Sequence, residues 1–257
     1  MEDNIGKPLF VVIGKRLEPT PVALQLYPRA KHIAKQTEDF ERVALANYFM
    51  DLVEITVFYE TLVPVAYLSD VRARIAKTFP ELKMKLLHRN RKESMEALEN
   101  GDAHFAILAT QGELYPSSAV GVTYLGTAKF SPYAHPSSSL FNKDEVSLLD
   151  LSEQVQYISE NIDTVNLNVM KQSSRHHIVS NTDLIVSMLE SGGWSALSNL
   201  DAKKYLEAGW IKEVKTKEIA QPYSVNIAMF TSYTFHDNNT AIEVGQIIQK
   251  SARDFLK

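Results

Sequence analysis

Ser173-Ser174-Arg175-His176-His177 is the densest run of potential metal ligands and nucleophiles in this chain. Coordination by both histidines would need their rings on one side of the backbone, and successive side chains on a strand point to opposite faces. No metal site is expected there. Covalent catalysis has no better footing. The 257 residues contain no H-E-x-x-H, no G-x-S-x-G and no glycine-rich phosphate loop. Gly192-Gly193 follows a helical stretch and reads as a helix end and turn. The absence of cysteine removes thiolate nucleophiles, Cys-ligated zinc, iron–sulfur clusters and thiol redox switches. Neither an enzyme nor a cofactor is expected.

Recognition chemistry remains. In open α/β sheets, ligands bind beyond the carboxyl ends of strands, where helix starts present free N–H groups. Tyr59, Glu60 and Thr61 follow one strand candidate, Arg89 and Asn90 a second, and Thr110 and Gln111 a third. Tyr133 and His135 lie on a crossover, and Ser180, Asn181 and Thr182 open a helix, with Ser195 and Leu197 nearby. Hydroxyls and amides in such places suit a small polar effector, either a carboxylate or an amino compound. Glu60 would repel an anion unless paired, for which Arg89 is available; alternatively it favours an amine. Plainer roles compete with these. Thr61, Asn181 and Thr182 can be helix caps, Arg89 and Arg91 solvated surface charges, and Trp194 and Trp210 core fillers.

The elements that must position these residues follow from periodicity. Leu9–Ile13 reads as a strand and Gly14–Pro19 as a turn, with Thr20-Pro21 as N-cap and first helical residue. Apolar residues then recur at helical spacing from Val22 to about Asn47, and Pro28 should bend or split that helix. From Val53 the pattern alternates: strand 53–58, helix 62–78, strand 83–88, helix 92–99, strand 104–109. This order implies parallel strands with helices on both faces. Two further strands, 120–125 and 129–134, lead to a second α/β run: strands at 155–159, 177–179 and 194–197, helices at 182–191 and 201–208, and an extended segment at 211–214. The chain closes with a strand, 225–230, and a helix, 241–256, that could return to the first half. The expected architecture is α/β, in two lobes.

Bulk properties agree with a globular protein of one or two domains: 45% hydrophobic residues, 23% charged and a net charge of -4. The negative charge argues against nucleic-acid binding by the chain as a whole. No apolar run approaches a membrane span, and the acidic start Met1-Glu2-Asp3-Asn4 is unlike a signal peptide, so a cytoplasmic location without membrane contact is expected.

Several segments, in order, resemble the LysR-type transcriptional regulators. Glu2 to Phe10 looks like the end of that family's winged helix-turn-helix, with Arg16, Pro19 and Thr20-Pro21 where the wing gives way to a linker helix. Phe79-Pro80-Glu81-Leu82 looks like the family's aromatic-Pro-acidic-aliphatic signature. Leu98 to Ile107 is similar to its Leu-x-x-Gly-x-x-Asp-x-Ala-Ile motif, with His104 where aspartate is usual. Tyr124-Leu125-Gly126, His135-Pro136, Leu148-x-Asp150-Leu151 and Val179-Ser180-Asn181 followed by Ser191 to Leu197 fall in family order.

The resemblance implies two Rossmann-like subdomains of the periplasmic-binding-protein type 2 kind around an effector cleft, and homodimers or tetramers. It divides the chain into a wing remnant (1–19), a linker and dimerisation helix (20–49) and an effector-binding domain (50–257). Of the last, about 50–130 and 225–257 form one lobe and about 131–224 the other. Lys15, Arg16 and Arg29 are weak candidates for contact with the DNA backbone. The helix-turn-helix itself would precede Glu2, so DNA would be read only through a missing head. A misassigned start codon or a truncation would explain its absence. A stand-alone solute-binding protein of the same fold is the alternative, and an enzyme ranks third.

Overall fold

The computed structural model describes residues 2–45, 52–110, 119–160, 162 and 170–257. They belong to two compact units, 1–50 and 51–257.

In the first unit, a short helix α1 (Glu2–Ile5) precedes a hairpin of β1 (Phe10–Ile13) and β2 (Arg16–Pro19). Helix α2 (Pro21–Leu45) follows. The Thr20 hydroxyl accepts from Ala23 N–H at 3.3 Å and donates to the Pro8 carbonyl at 3.0 Å, which starts α2 and ties it to the hairpin. Pro28 does not split the helix, which runs through it. Proline removes one hydrogen bond there, and the bonds of neighbouring residues carry the helix past the gap. The proposed continuation to Asn47 lies outside the described residues.

The second unit opens with β3 (Glu54–Tyr59), α3 (Val65–Thr78), β4 (Lys83–His88), α4 (Arg91–Asn100) and β5 (Phe105–Ala109). Strand β3 pairs in parallel with β4 and with β5. Alternation sorts the side chains of β3 and β5. Ile55, Val57, Phe105, Ile107 and Ala109 enter the largest apolar core, and Phe58, Ala106 and Leu108 enter a second core beneath α4. Asn90 and Glu93 form a capping box at the start of α4, and Gly101 closes it in the left-handed conformation.

Strand β6 spans Val120–Ala134 without interruption, where the sequence suggests two strands. The apparent break at Gly126 is a register irregularity, not a turn. Gly126 has φ of 141°, and its antiparallel partner β11 (Tyr223–Ser232) shifts register between Ile227 and Ala228. The remaining elements are α5 (Leu148–Glu153), β7 (Gln156–Ser159), β8 (His176–Val179), α6 (Thr182–Leu189), β9 (Trp194–Ser198), α7 (Asn199–Glu207), β10 (Lys212–Glu213) and α8 (Asn239–Phe255).

The strand order β4-β3-β5-β11-β6-β9-β7-β8, with β10 added to β6, makes one curled mixed sheet. The two expected halves are therefore continuous in hydrogen bonding. Strand β6 joins them: up to Phe130 it pairs with β11, and from Phe130 to Ala134 with β9. The main core also runs from one half to the other, from Ile75 and Phe105 to Leu151 and Trp194. Helix α8 packs on the first half. Tyr67 donates to the Ile248 carbonyl at 3.0 Å, and Ser251 donates to Asp70 at 2.6 Å. No helix among the described residues is long and apolar enough to cross a membrane.

Candidate functional site

Three parallel strands of the first half, β3, β4 and β5, end side by side, and Tyr59, Glu60, Arg89 and Thr110 gather at that edge. Tyr59 stands edge-on to His88, with centroids 5.7 Å apart. Thr110 donates its backbone N–H to the Asn226 carbonyl at 2.7 Å. Arg89 is exposed and lies over the Phe58 ring at 5.5 Å, and Asn90 is committed to capping α4. Gln111 lies outside the described residues.

Glu60 is fully buried. Its Oε1 accepts the Ala109 N–H, and its Oε2 has no hydrogen-bond partner among the described residues. Burial pushes its carboxyl up to about 7, against the opposing pull of the Ala109 amide and the Arg91 charge. The cationic neighbour is thus Arg91, not Arg89. Arg91 starts α4, donates to the Ala109 carbonyl and lies over the Phe230 ring at 5.5 Å, so it is held in place and not simply solvated.

The shift at Glu60 has a definite sign. Between roughly pH 4.5 and 7 the folded chain holds a proton on Glu60 that the unfolded chain has released, and above pH 7 a charge stays buried. Glu60→Gln should therefore be more stable than wild type at pH 8.5, by on the order of 3 kcal/mol, with the gain fading toward pH 4.5. Urea unfolding at both pH values checks this, and a variant weaker than wild type at pH 8.5 would refute it. His104 titrates in the opposite sense but cancels in the comparison. Burial depresses it to about 4, so its contribution is lost as pH falls from 6.5 through 4. Its Nδ1 accepts the Thr56 N–H at 3.2 Å, an acceptor role that an aspartate oxygen could also fill.

Contacts from the second half reach this edge directly. Thr61 Oγ1 meets Ser159 Oγ at 2.5 Å, and His88 Nε2 lies 3.2 Å from Glu160 Oε1. The Asp201 carboxylate from α7 accepts the Val65 and Ala66 N–H groups, both at 3.1 Å. Helix α3 has Pro64 at its own N-cap position, which offers no side-chain cap, so the second half supplies one. Thr61 is accordingly not a cap. The crevice expected here is closed at these points by polar contacts.

Other anticipated residues are spent elsewhere. Asn181 caps α6 through the Leu184 N–H at 3.0 Å, and Thr182 is that helix's first residue. Tyr133 and Ser195 are cross-strand neighbours. The Ser195 hydroxyl is buried on the Tyr157 carbonyl at 2.7 Å, and Tyr133, in a core with Ile185 and Leu197, donates to Asn199 Oδ1 at 3.3 Å. Burial raises the Tyr133 phenol to about 12. His135 bonds Ser137 in the following turn at 2.7 Å. Lys15, Arg16 and Arg29 are exposed in the first unit. Among the described residues no group of three or more His, Cys, Asp or Glu could hold a metal ion. Sequence reasoning missed Ser159, Glu160 and Asp201. The stretch Leu62-Val63-Pro64, unable to cap the helix it precedes, was the one available signal for Asp201.

A curled mixed sheet with helices on both faces and a polar seam at strand ends defines a two-subdomain α/β binding fold. The sequence model of the LysR substrate binding domain matches residues 54–233, so this chain belongs to the LysR family. That family comprises transcriptional regulators and not enzymes. Solved structures agree on the fold. ArgP from Mycobacterium tuberculosis has a TM-score of 0.67 at 16% identity, with 100% of this chain and 86% of that one covered. A full-length OxyR variant from Pseudomonas aeruginosa has 0.63 at 16%, covering 98% and 82%. Full-length LysG from Corynebacterium glutamicum with bound effector Arg has 0.62 at 16%, covering 100% and 86%. No curated protein matches this chain by sequence.

Proposed function

We propose that residues 50–257 sense a small molecule held between the two subdomains. Occupancy shifts the angle between them and with it the arrangement of chains along DNA, so transcription responds to the effector. The observation that carries this reading is the seam: Thr61 with Ser159, His88 with Glu160 and Asp201 with α3 join the halves through polar groups that a ligand's own polar groups can replace. Tyr59, Glu60, Thr61, Arg89 and Thr110 would contact the effector from one side. From the other, Asn181 and Thr182 would contribute through their helix start, and Tyr133, His135, Ser195 and Asn90 would act as supports. LysG holds an amino acid as effector, which fits a ligand of this size.

Thr61→Val is expected to weaken effector binding about tenfold, the loss of one good polar contact. Calorimetric titration with an effector found by thermal-shift screening would measure it, and unchanged affinity in a folded variant would remove Thr61 from the site.

In this reading residues 1–19 are the end of a winged DNA-binding head, and 20–49 a linker helix that dimerises in the cytoplasm. Lys15, Arg16 and Arg29 approach the DNA backbone. Leu24 and Tyr27 of α2, three residues apart on one helix face, are 60% and 63% exposed, an apolar patch that a second copy would cover. Leu24→Asp should then shift the light-scattering mass toward monomer, and an unaltered oligomer would count against the patch.

A further inference from the structure

We propose that the effector presents a cationic amine to Glu60, and that this chain excludes a carboxylate from the first turn of α3 by placing Asp201 there. This deepens the effector-sensing reading above and rests on it. Two independent observations carry it.

The first is occupancy. A helix start at the seam is where an effector's anionic group would bind, because free N–H groups and the helix dipole favour negative charge. In this chain that place is taken. Asp201 Oδ2 accepts Val65 N–H and Oδ1 accepts Ala66 N–H, so both oxygens are engaged by α3. A carboxylate ligand would have to evict a carboxylate with the same charge and the same two bonds.

The second is an unmatched acceptor. Glu60 follows the last residue of β3 and precedes Thr61, and its Oε2 is buried without a donor among the described residues. An unsatisfied buried carboxylate oxygen is costly, and an ionised donor is its strongest available partner. Arg91 does not fill the role: its guanidinium is bound to the Ala109 carbonyl and reaches Glu60 only through space. The neighbouring cation lowers the local charge, so selection rests on hydrogen-bond direction: above about pH 7, where Glu60 is ionised, Oε2 can only accept. Glu160, beside Thr61's partner Ser159, adds a second carboxylate to the seam, 3.2 Å from His88.

The test pairs amines with carboxylates of the same skeleton: butylamine with butyrate, putrescine with succinate, benzylamine with benzoate. Each is titrated against the full chain at about pH 8.5, where Glu60 is ionised and the amines remain cationic, with the melting midpoint as readout, and any hit is followed by calorimetry. Expected are saturable upward shifts with at least one amine and none with its carboxylate, and an affinity about tenfold lower in Glu60→Gln. In Asp201→Ala, acetate or butyrate should raise the midpoint, because the α3 amides are vacated. Asp201→Asn, which keeps one acceptor oxygen, serves if the alanine variant does not fold. Carboxylates that stabilise wild type while amines do not would overturn the inference and leave effector sensing intact. Amine binding indifferent to Glu60→Gln, or no carboxylate response in either Asp201 variant, would also overturn it. Silence from every probe would overturn both.

Discussion

Alanine at position 126 is expected to destabilise the second unit by about 3 kcal/mol or more, the sum of a strained backbone and an overpacked contact. Gly126 has φ of 141°, and a Cβ there would collide with the Leu256 carbonyl oxygen and meet Leu256 Cβ at 2.8 Å. One of these atoms is backbone and cannot swing aside. The end of α8 and the middle of β6 would have to separate, loosening the Lys257 N–H to Thr127 carbonyl bond of 3.1 Å as well. Because β6 passes from one half of the sheet to the other a few residues later, the damage falls on the strand that joins the subdomains. Gly192→Ala is the matched control. It also has positive φ, 107°, but a Cβ there meets nothing within 4 Å, so only the dihedral strain of about 1 kcal/mol applies. Urea denaturation of both variants reads the difference; equal losses would show that the close approach of α8 does not hold in solution.

Trp194→Ala should be comparably severe, about 3–5 kcal/mol. Trp194 is fully buried, is among the largest side chains in the core shared by both halves, and donates its indole N–H to the Leu151 carbonyl at 2.9 Å. Truncation leaves a large cavity and removes one of two donors to the Leu151 carbonyl, which keeps the Gln154 N–H at 3.2 Å. Trp194→Phe separates the two effects. It restores most of the volume but not the donor, so its loss should be smaller, near the roughly 1 kcal/mol of one hydrogen bond. Denaturant midpoints for the pair test this, and a phenylalanine variant as unstable as the alanine one would move the emphasis from packing to the hydrogen bond.

Much of the fold was legible because burial writes itself into the sequence at fixed periods. The alternation of Ile55, Val57 and Phe58, and of the five residues of β5, follows from two apolar faces on each strand. The cap at Asn181 was visible in the same way, since capping is a local arrangement, whereas the cap at Asn90 went unread. The unity of β6 was not legible, because glycine reads as punctuation whether it makes a turn or a bulge, and only α8 shows which. The seam was half legible. Thr61 could be placed at a strand end and Val65 near a helix start, but their partners Ser159 and Asp201 lie about 100 residues or more away along the chain, where local pattern carries no information. The choice of Arg89 as the partner of Glu60 failed for a related reason. Both arginines follow β4, and only the start of α4 decides which is turned toward Ala109.

If ligand occupancy sets the angle between the subdomains, a distance distribution measured across them must respond to ligand. The chain has no cysteine, so Glu96→Cys on α4 and Lys203→Cys on α7, both exposed, can carry the only two spin labels. Double electron–electron resonance is then recorded without ligand and with a saturating amount of whichever probe stabilises the protein. A shift in the mean separation or a clear narrowing of the distribution is the expected result. An unchanged distribution under saturable binding would contradict the account.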